Sequence, residues 1–437
     1  MERRDSGPHE GRSFPAVPRR DRSFREAGRN GLGCLAHLPG VMHRRICILS
    51  ALILAFLAAC GRDEAVEPAP PGSPAAVMPE KAVVHWRSFG TWDEATIEAA
   101  ARAEMIIFPM EHCFSPESEG VLGELHRLNP DIRIVGYRSM MSVLTLYPDT
   151  VYLRRVLPYV LDYYYAVRDD WAWTTTQDTV LIWRDIVMLD PIVNGGLNTG
   201  LIDRMVDLIA EYQDRTGGAV DGIMHDYFMY DAYLNPTVRE SMTGDVDFDD
   251  DGVRHEDDPD ERALFYEWQK EYARAIRARL GDDFIQIGNG RPPQEDAGLA
   301  GLMNGIFYEL YPNNPWYGTD RAGLLRLLEN HRPGYLRPAL GRTWSVCTNE
   351  KGTVSANNLF CLLSSLLAGC MYTELQGTYV FLGWTLDVTP GAPLGETAVE
   401  GAMDSILTVR RPFRNGEVRI SFLPSGRRED AVFQAAE

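Results

Sequence analysis

From Lys81 onward, short apolar runs alternate with amphipathic stretches, a repeat that occurs about eight times. The runs are AVVHWRSF (82–89), MIIFPMEH (105–112), IRIVGYRS (132–139), VDGIMHD (220–226), FIQIGNG (284–290), GIFYELYP (305–312), RPALGRTWSV (337–346) and CMYTELQG (370–377). Between them lie helical patterns such as LIDRMVDLIAEYQDR and ALFYEWQKEYARAIRARL, the latter stopped by Gly281. Strands that alternate with helices pair in parallel, and this count is that of a (β/α)8 (TIM) barrel. A doubly wound open sheet is the structural rival, but no G-x-G-x-x-G turn follows an early strand. The chain has 437 residues, room for one barrel of ~250 residues or more with long loops. One such loop follows the third strand and is rich in Tyr and Trp (YVLDYYYAVRDDWAW). The last segment, SILTVRRPFRNGEVRISFL, reads as a short β-hairpin around Asn415-Gly416.

A barrel presents its chemistry at the C-terminal ends of its strands. Read that way, the mouth receives Trp86 and Arg87, Glu111, Tyr137 and Arg138, Asp226 and Tyr227, Asn289, Glu309 and Tyr311, Arg342 and Trp344, and Glu374. It is a set of carboxylates, aromatic rings and a few arginines. It lacks the histidine spacing of a zinc hydrolase and the G-x-S-x-G elbow of a serine hydrolase. Paired carboxylates among aromatic faces are what glycosidic bond cleavage uses: one acid protonates the leaving oxygen, the other attacks carbon or activates water. Asp226 and Glu309 form the best pair, each following an apolar run with tyrosine beside it. The period of two places Met224 and Gly222 on the same face as Asp226, and Phe307 on the face of Glu309. His225 then points out of the barrel. Glu111 and Glu374 are reserves for the second acid. Asp190, in MLDP, reads equally as a helix cap or a mouth residue.

The combination of LDP, a helix, DGIMHDYF, a D-x-D-x-D-G loop, IGNG and RRPFRNGEV resembles the hypothetical glycoside hydrolase families related to the endo-polygalactosaminidase and α-galactosidase superfamily. The resemblance covers roughly residues 82–420 through short motifs. It implies that the acid ending strand four, Asp226, is the nucleophile and that an acid ending strand six, Glu309, is the general acid/base. Relatives of the α-galactosidase type have Asp at the second position, where this chain has Glu.

The loop GDVDFDDDGVRHEDDPDE carries a second pattern. Asp247, Asp249, Asp251 and Gly252 fit D-x-D-x-D-G, Val253 would offer its carbonyl, and Asp258 stands at position twelve. Hard oxygen ligands at these spacings converge on Ca2+, and the glycine permits the sharp turn. Position twelve is usually Glu in an EF-hand, while dockerin-like loops carry Asp. The expected role of the ion is structural.

The N-terminus reads as targeting rather than fold. His43-Arg44-Arg45 precedes a short apolar stretch, 46–59, that ends in Leu57-Ala58-Ala59-Cys60. This resembles a bacterial lipobox, in which Cys60 is lipidated after cleavage; residues 1–41, upstream of Met42, read as an extension of the gene model. The Pro/Ala-rich stretch 61–80 reads as a tether and 81–437 as the barrel with its hairpin. The chain is then expected at the cell envelope, anchored by lipid alone. Its charge of −19 argues against nucleic acid or anionic lipid as the main partner and leaves a carbohydrate substrate open. The four cysteines Cys113, Cys347, Cys361 and Cys370 match no zinc spacing. The reading is an exported glycoside hydrolase. The alternatives are a glycan-binding lipoprotein on the same barrel or a metal-dependent esterase or deacetylase of surface glycans. The sequence gives no oligomeric state.

Overall fold

The structure is a computed structural model, described here for residues 80–85, 92–144, 157–183, 186–232, 244–313, 320–350, 356–375, 390–391, 393–402 and 405–435, with a few single residues between. The lipobox with Cys60, the tether to residue 79, and Trp86 and Arg87 lie outside the described residues. Eight parallel strands form one sheet in chain order: β1 Ala82–Val84, β2 Met105–Pro109, β3 Arg133–Ser139, β4 Gly222–Phe228, β5 Ile285–Gly290, β6 Gly305–Tyr308, β7 Val346–Glu350 and β8 Met371–Leu375. The sheet closes on itself, because Tyr372 in β8 donates its N–H to Glu80 O at 3.0 Å and bridges Lys81 in parallel. The fold is the expected (β/α)8 barrel.

Alternation along the strands sorts the apolar residues into two cores. Val84, Ile107, Val135, Met224, Ile287, Phe307 and Met371 fill the barrel interior. Val83, Ile106, Ile134, Ile223, Ile306, Cys347 and Tyr372 face outward, against the helices. That layer includes α1 Glu94–Ala100, α2 Pro116–Leu128, α3 Pro158–Val167, α4 Thr199–Arg215, α5 Pro259–Leu280, α6 Arg321–Glu329 and α7 Ala356–Ala368. Their starts are set by caps: Asp93, Asn198, Asp258 and Asp320 each accept a backbone N–H of the first turn. Cys113, Cys347, Cys361 and Cys370 are buried free thiols.

One strand lies elsewhere than the sequence reading placed it. The seventh was expected at 337–346 but begins only at Val346. Residues 339–342 instead form a tight turn, with Ala339 and Arg342 bonded to each other at 2.9 and 3.1 Å and positive φ at Leu340 and Gly341. The true strand, VCTNE, is mostly polar after its first two residues, so hydrophobicity hid it. The C-terminal hairpin exists and belongs to a larger element. β9 Ala398–Glu400, β10 Leu407–Phe413, β11 Gly416–Phe422 and β12 Arg428–Ala435 make a four-stranded antiparallel sheet.

Candidate active site

Asp226 lies near the end of β4, two residues beyond Met224 and on the same interior face. The ladder to β5 breaks between His225 and Phe228, while on the other side Asp226 still pairs with Ser139. The break comes from Tyr227, whose φ of 82° is rare for a bulky residue. Phe228 then realigns with Gly290, where a Cβ would sit 2.0 Å from the Phe228 carbonyl oxygen. Glycine at 290 thus permits the close approach that seats Asn289 beside Asp226.

Three neutral donors converge on the Asp226 carboxylate. Tyr137 O–H donates to Oδ2 at 2.7 Å, Asn289 Nδ2–H to Oδ1 at 3.0 Å, and Tyr227 N–H to Oδ1 at 2.8 Å. The same Asn289 Nδ2 donates to Glu309 Oε2 at 3.2 Å. Two acceptors on one nitrogen at 3.0 and 3.2 Å are no more than about 6 Å apart, the scale of a two-carboxylate glycosidase site. Burial pushes the Asp226 carboxyl above its ordinary range; Tyr137 opposes this, Glu309 adds to it, and Asn289 and the Tyr227 amide oppose it. Burial, reinforced by Asp226, pushes the Tyr137 phenol well above its ordinary value, so it stays protonated as a donor. His225 faces outward and is fully buried, with Nε2 2.9 Å from Gln286 Oε1; burial pulls its imidazole down to about 4, so it is neutral at physiological pH.

Several residues expected at the mouth lie elsewhere. Tyr227 and Tyr311 are 6% and 1% exposed and belong to the outer core, not to a sugar-facing wall. Tyr311 packs among Tyr308, Tyr317 and Phe360. Arg342 and Trp344 precede β7 and so close the opposite end of the barrel. Arg342 pairs with Glu80 before β1 and stacks over Trp344 at 4.5 Å, and Trp344 donates Nε1–H to Ala339 O at 2.9 Å. Glu374 shares the outward face of β8 with Tyr372, whose O–H reaches it at 3.3 Å. Glu111 and Arg138 form an ion pair at 3.5 Å, and Arg138 stacks 3.5 Å above the Tyr163 ring. Glu374 thus faces away from Asp226, while Glu111 lies close enough to act on Tyr137 and is held by Arg138. Of the second-acid candidates, the structure brings Glu309 to it.

The acidic loop follows β4 and is organised around Asp247. Asp247 Oδ1 accepts the N–H groups of Asp250 and Asp251 at 2.8 and 3.3 Å, and Oδ2 accepts that of Gly252 at 3.0 Å. Asp258 caps α5 through Asp260 N–H and Glu261 N–H. Two overlapping groups have carboxylate oxygens close enough to share one cation: Asp247, Asp249 and Glu261, and Asp249, Asp251 and Asp258. The sequence reading missed Glu261, which is 1% exposed and accepts the N–H groups of Phe248 and Asp249 at 3.0 and 3.2 Å. Its place three residues after the Asp258 cap was the available signal. Asp190 is also nearby: its Oδ1 accepts Ile192 N–H at 3.0 Å, and burial pushes its carboxyl well up, with Asp170, Glu261 and Asp247 adding to the rise. The loop is fastened to the excursion after β3, where Val246 and Asp247 pair antiparallel with Thr174 and Trp173.

No family model matches the chain, and no curated protein matches it. Solved structures similar in fold include a maltogenic amylase from S. marinus, at 13% identity and a TM-score of 0.36 over 74% of this chain. The chain spans 54% of that amylase's length. A Family GH13_31 enzyme aligns at 10% identity and a TM-score of 0.41 over 78% of this chain and 92% of its own. A GH31 family sulfoquinovosidase from E. rectale aligns at 13% identity and a TM-score of 0.40 over 68% of this chain and 42% of its own. The barrel itself is established by the strand order and its closure.

Proposed function

We propose that the chain is a glycoside hydrolase of the kind related to the endo-polygalactosaminidase and α-galactosidase superfamily, cleaving a glycosidic bond in a poly- or oligosaccharide. The observation that carries this reading is the single amide of Asn289 hydrogen-bonded to two carboxylates from different strands. Asp226, held by three donors that favour its anion, is the nucleophile. Glu309 is the acid/base: it protonates the leaving oxygen and then takes the proton from water. In this reading Asp226 attacks the anomeric carbon directly, the course open to two carboxylates close enough to share one amide. Asp226→Asn, tested against α- and β-linked glycans with the domain from residue 80 onward, should abolish turnover in a folded protein. Retained turnover would remove Asp226 from the role.

In this reading the acidic loop holds Ca2+. The residues fit: Asp249 Oδ1 is buried with no hydrogen-bond partner, and hard carboxylate oxygens surround it. Asp247, Asp249, Asp251 and Glu261 would hold the ion, with Asp258 and the Val253 carbonyl as the remaining loop positions. The ion's contribution is to neutralise crowded acids and stiffen a loop tied to the excursion after β3. The lipobox-like Leu57–Cys60 supports a further element of the proposal, export with lipid anchoring at Cys60. Incorporation of labelled fatty acid into the wild type, and its loss in Cys60→Ser, tests that element.

A further inference from the structure

Strands β4, β5 and β6 deliver their polar groups in the same way. Asp226 is followed by Tyr227 at φ 82°, Asn289 by Gly290 at φ 130°, and Glu309 by Leu310 at φ 54°. Each of these groups shares the parity of the interior residues Met224, Ile287 and Phe307 and is followed by one residue of positive φ. Asn289 occupies the middle of the three strands. It is 6% exposed, gives both of its hydrogens to the flanking acids, and leaves Oδ1 buried without a partner. The amide's donor end therefore joins the two acids.

We propose that Asn289 is a positioning residue: its amide sets the separation of Asp226 and Glu309 and keeps Asp226 ionised beside a second acid. This rests on the glycosidase reading of the pair. Two carboxylates this close disfavour each other's charge, and a hydrogen bond to the anion offsets that repulsion. One donor shared between them offsets it for both while acting as a spacer. Without it, Asp226 holds its proton to higher pH, and a nucleophile is lost at neutral pH without losing the residue itself.

The test titrates carbon-13-labelled Asp carboxyls by NMR in wild type, Asn289→Leu and Asn289→Ala, with Asp226→Asn assigning the signal. Leucine nearly preserves the volume; alanine serves if leucine does not fit. Both should raise the Asp226 midpoint by about one pH unit or more. The acid limb of kcat/KM should rise equally, so that activity lost at neutral pH returns in part on the alkaline side. A folded variant with an unmoved Asp226 midpoint overturns the proposal, even if turnover falls. A moved midpoint in a protein with no glycan hydrolysis upholds the positioning role and sinks the glycosidase reading instead.

Discussion

The mouth pair and the acidic loop are built from the same side chains and treat them in opposite ways. At the mouth, Asp226 and Glu309 come from strands far apart in sequence, and the donors on Asp226 are a phenol, a side-chain amide and one backbone N–H. In the loop, the acids are neighbours in sequence, and Asp247 is held by three successive backbone N–H groups. Backbone donors fold a segment around an acid and turn its other oxygens toward one another. That geometry suits an ion with many oxygen ligands. At the mouth, donors from separate strands bring two acids onto one amide, the arrangement on which the proposed reaction rests. At the far end of the barrel a third arrangement appears, where Glu80 and Asp221 pair with Arg342 and Arg133. Those acids are neutralised by charge and serve the fold.

The largest effect that could break this contrast is at Asp226. Asp226→Asn should lower turnover by about 10^3-fold or more while the protein stays folded. Its melting midpoint should rise. The folded state raises the Asp226 pKa, so the native protein binds the proton more tightly, and wild-type stability falls as pH rises from the ordinary carboxylate range through the raised value. The variant lacks that fall, and a comparison of midpoints across acid to neutral pH measures it. An equal pH dependence in both proteins would mean that Asp226 is not under strain.

Glu309→Gln should cost about 10^2-fold or more on substrates with poor leaving groups and much less on activated aryl glycosides, which leave without a proton. Equal losses on both would assign Glu309 to binding. Trp344→Ala probes the opposite end. It should cost about 3–5 kcal/mol in stability, read by denaturant, with kcat of the folded fraction unchanged. A selective loss of kcat would return Trp344 to the site.

For the loop, chelation should lower the melting temperature of the wild type and much less that of Asp247→Ala/Asp251→Ala, without a change in the pH optimum. Ion at a hundredfold excess over its Kd would supply about 2.7 kcal/mol. Identical melting with and without chelator in the wild type removes the ion. The smallest effect is at Tyr311, whose hydroxyl is buried in the outer layer: Tyr311→Phe should change turnover by less than about twofold.

The strand–helix period and the period of two within strands were legible in the sequence because they depend on local hydrophobicity alone. They located the barrel and put Asp226 on the interior face, since Gly222, Met224 and Asp226 share a parity that no tertiary contact has to supply. The calcium-type spacing was legible for the same reason, being a pattern within a dozen or so residues. The composition of the mouth was not. Arg342 and Trp344 were displaced when β7 proved to be a polar strand, Tyr227 and Glu374 by their outward parity, and Tyr311 by the turn at Leu310 after β6, which sends it among Tyr308, Tyr317 and Phe360. The left-handed turns at Tyr227 and Leu310 carry no glycine to announce them. The sequence alone therefore determined the (β/α)8 barrel and the interior parity of Asp226. Only the closed sheet decided that Glu309 meets that acid and that Asn289 stands between them, because the register of three separate strands fixes that meeting.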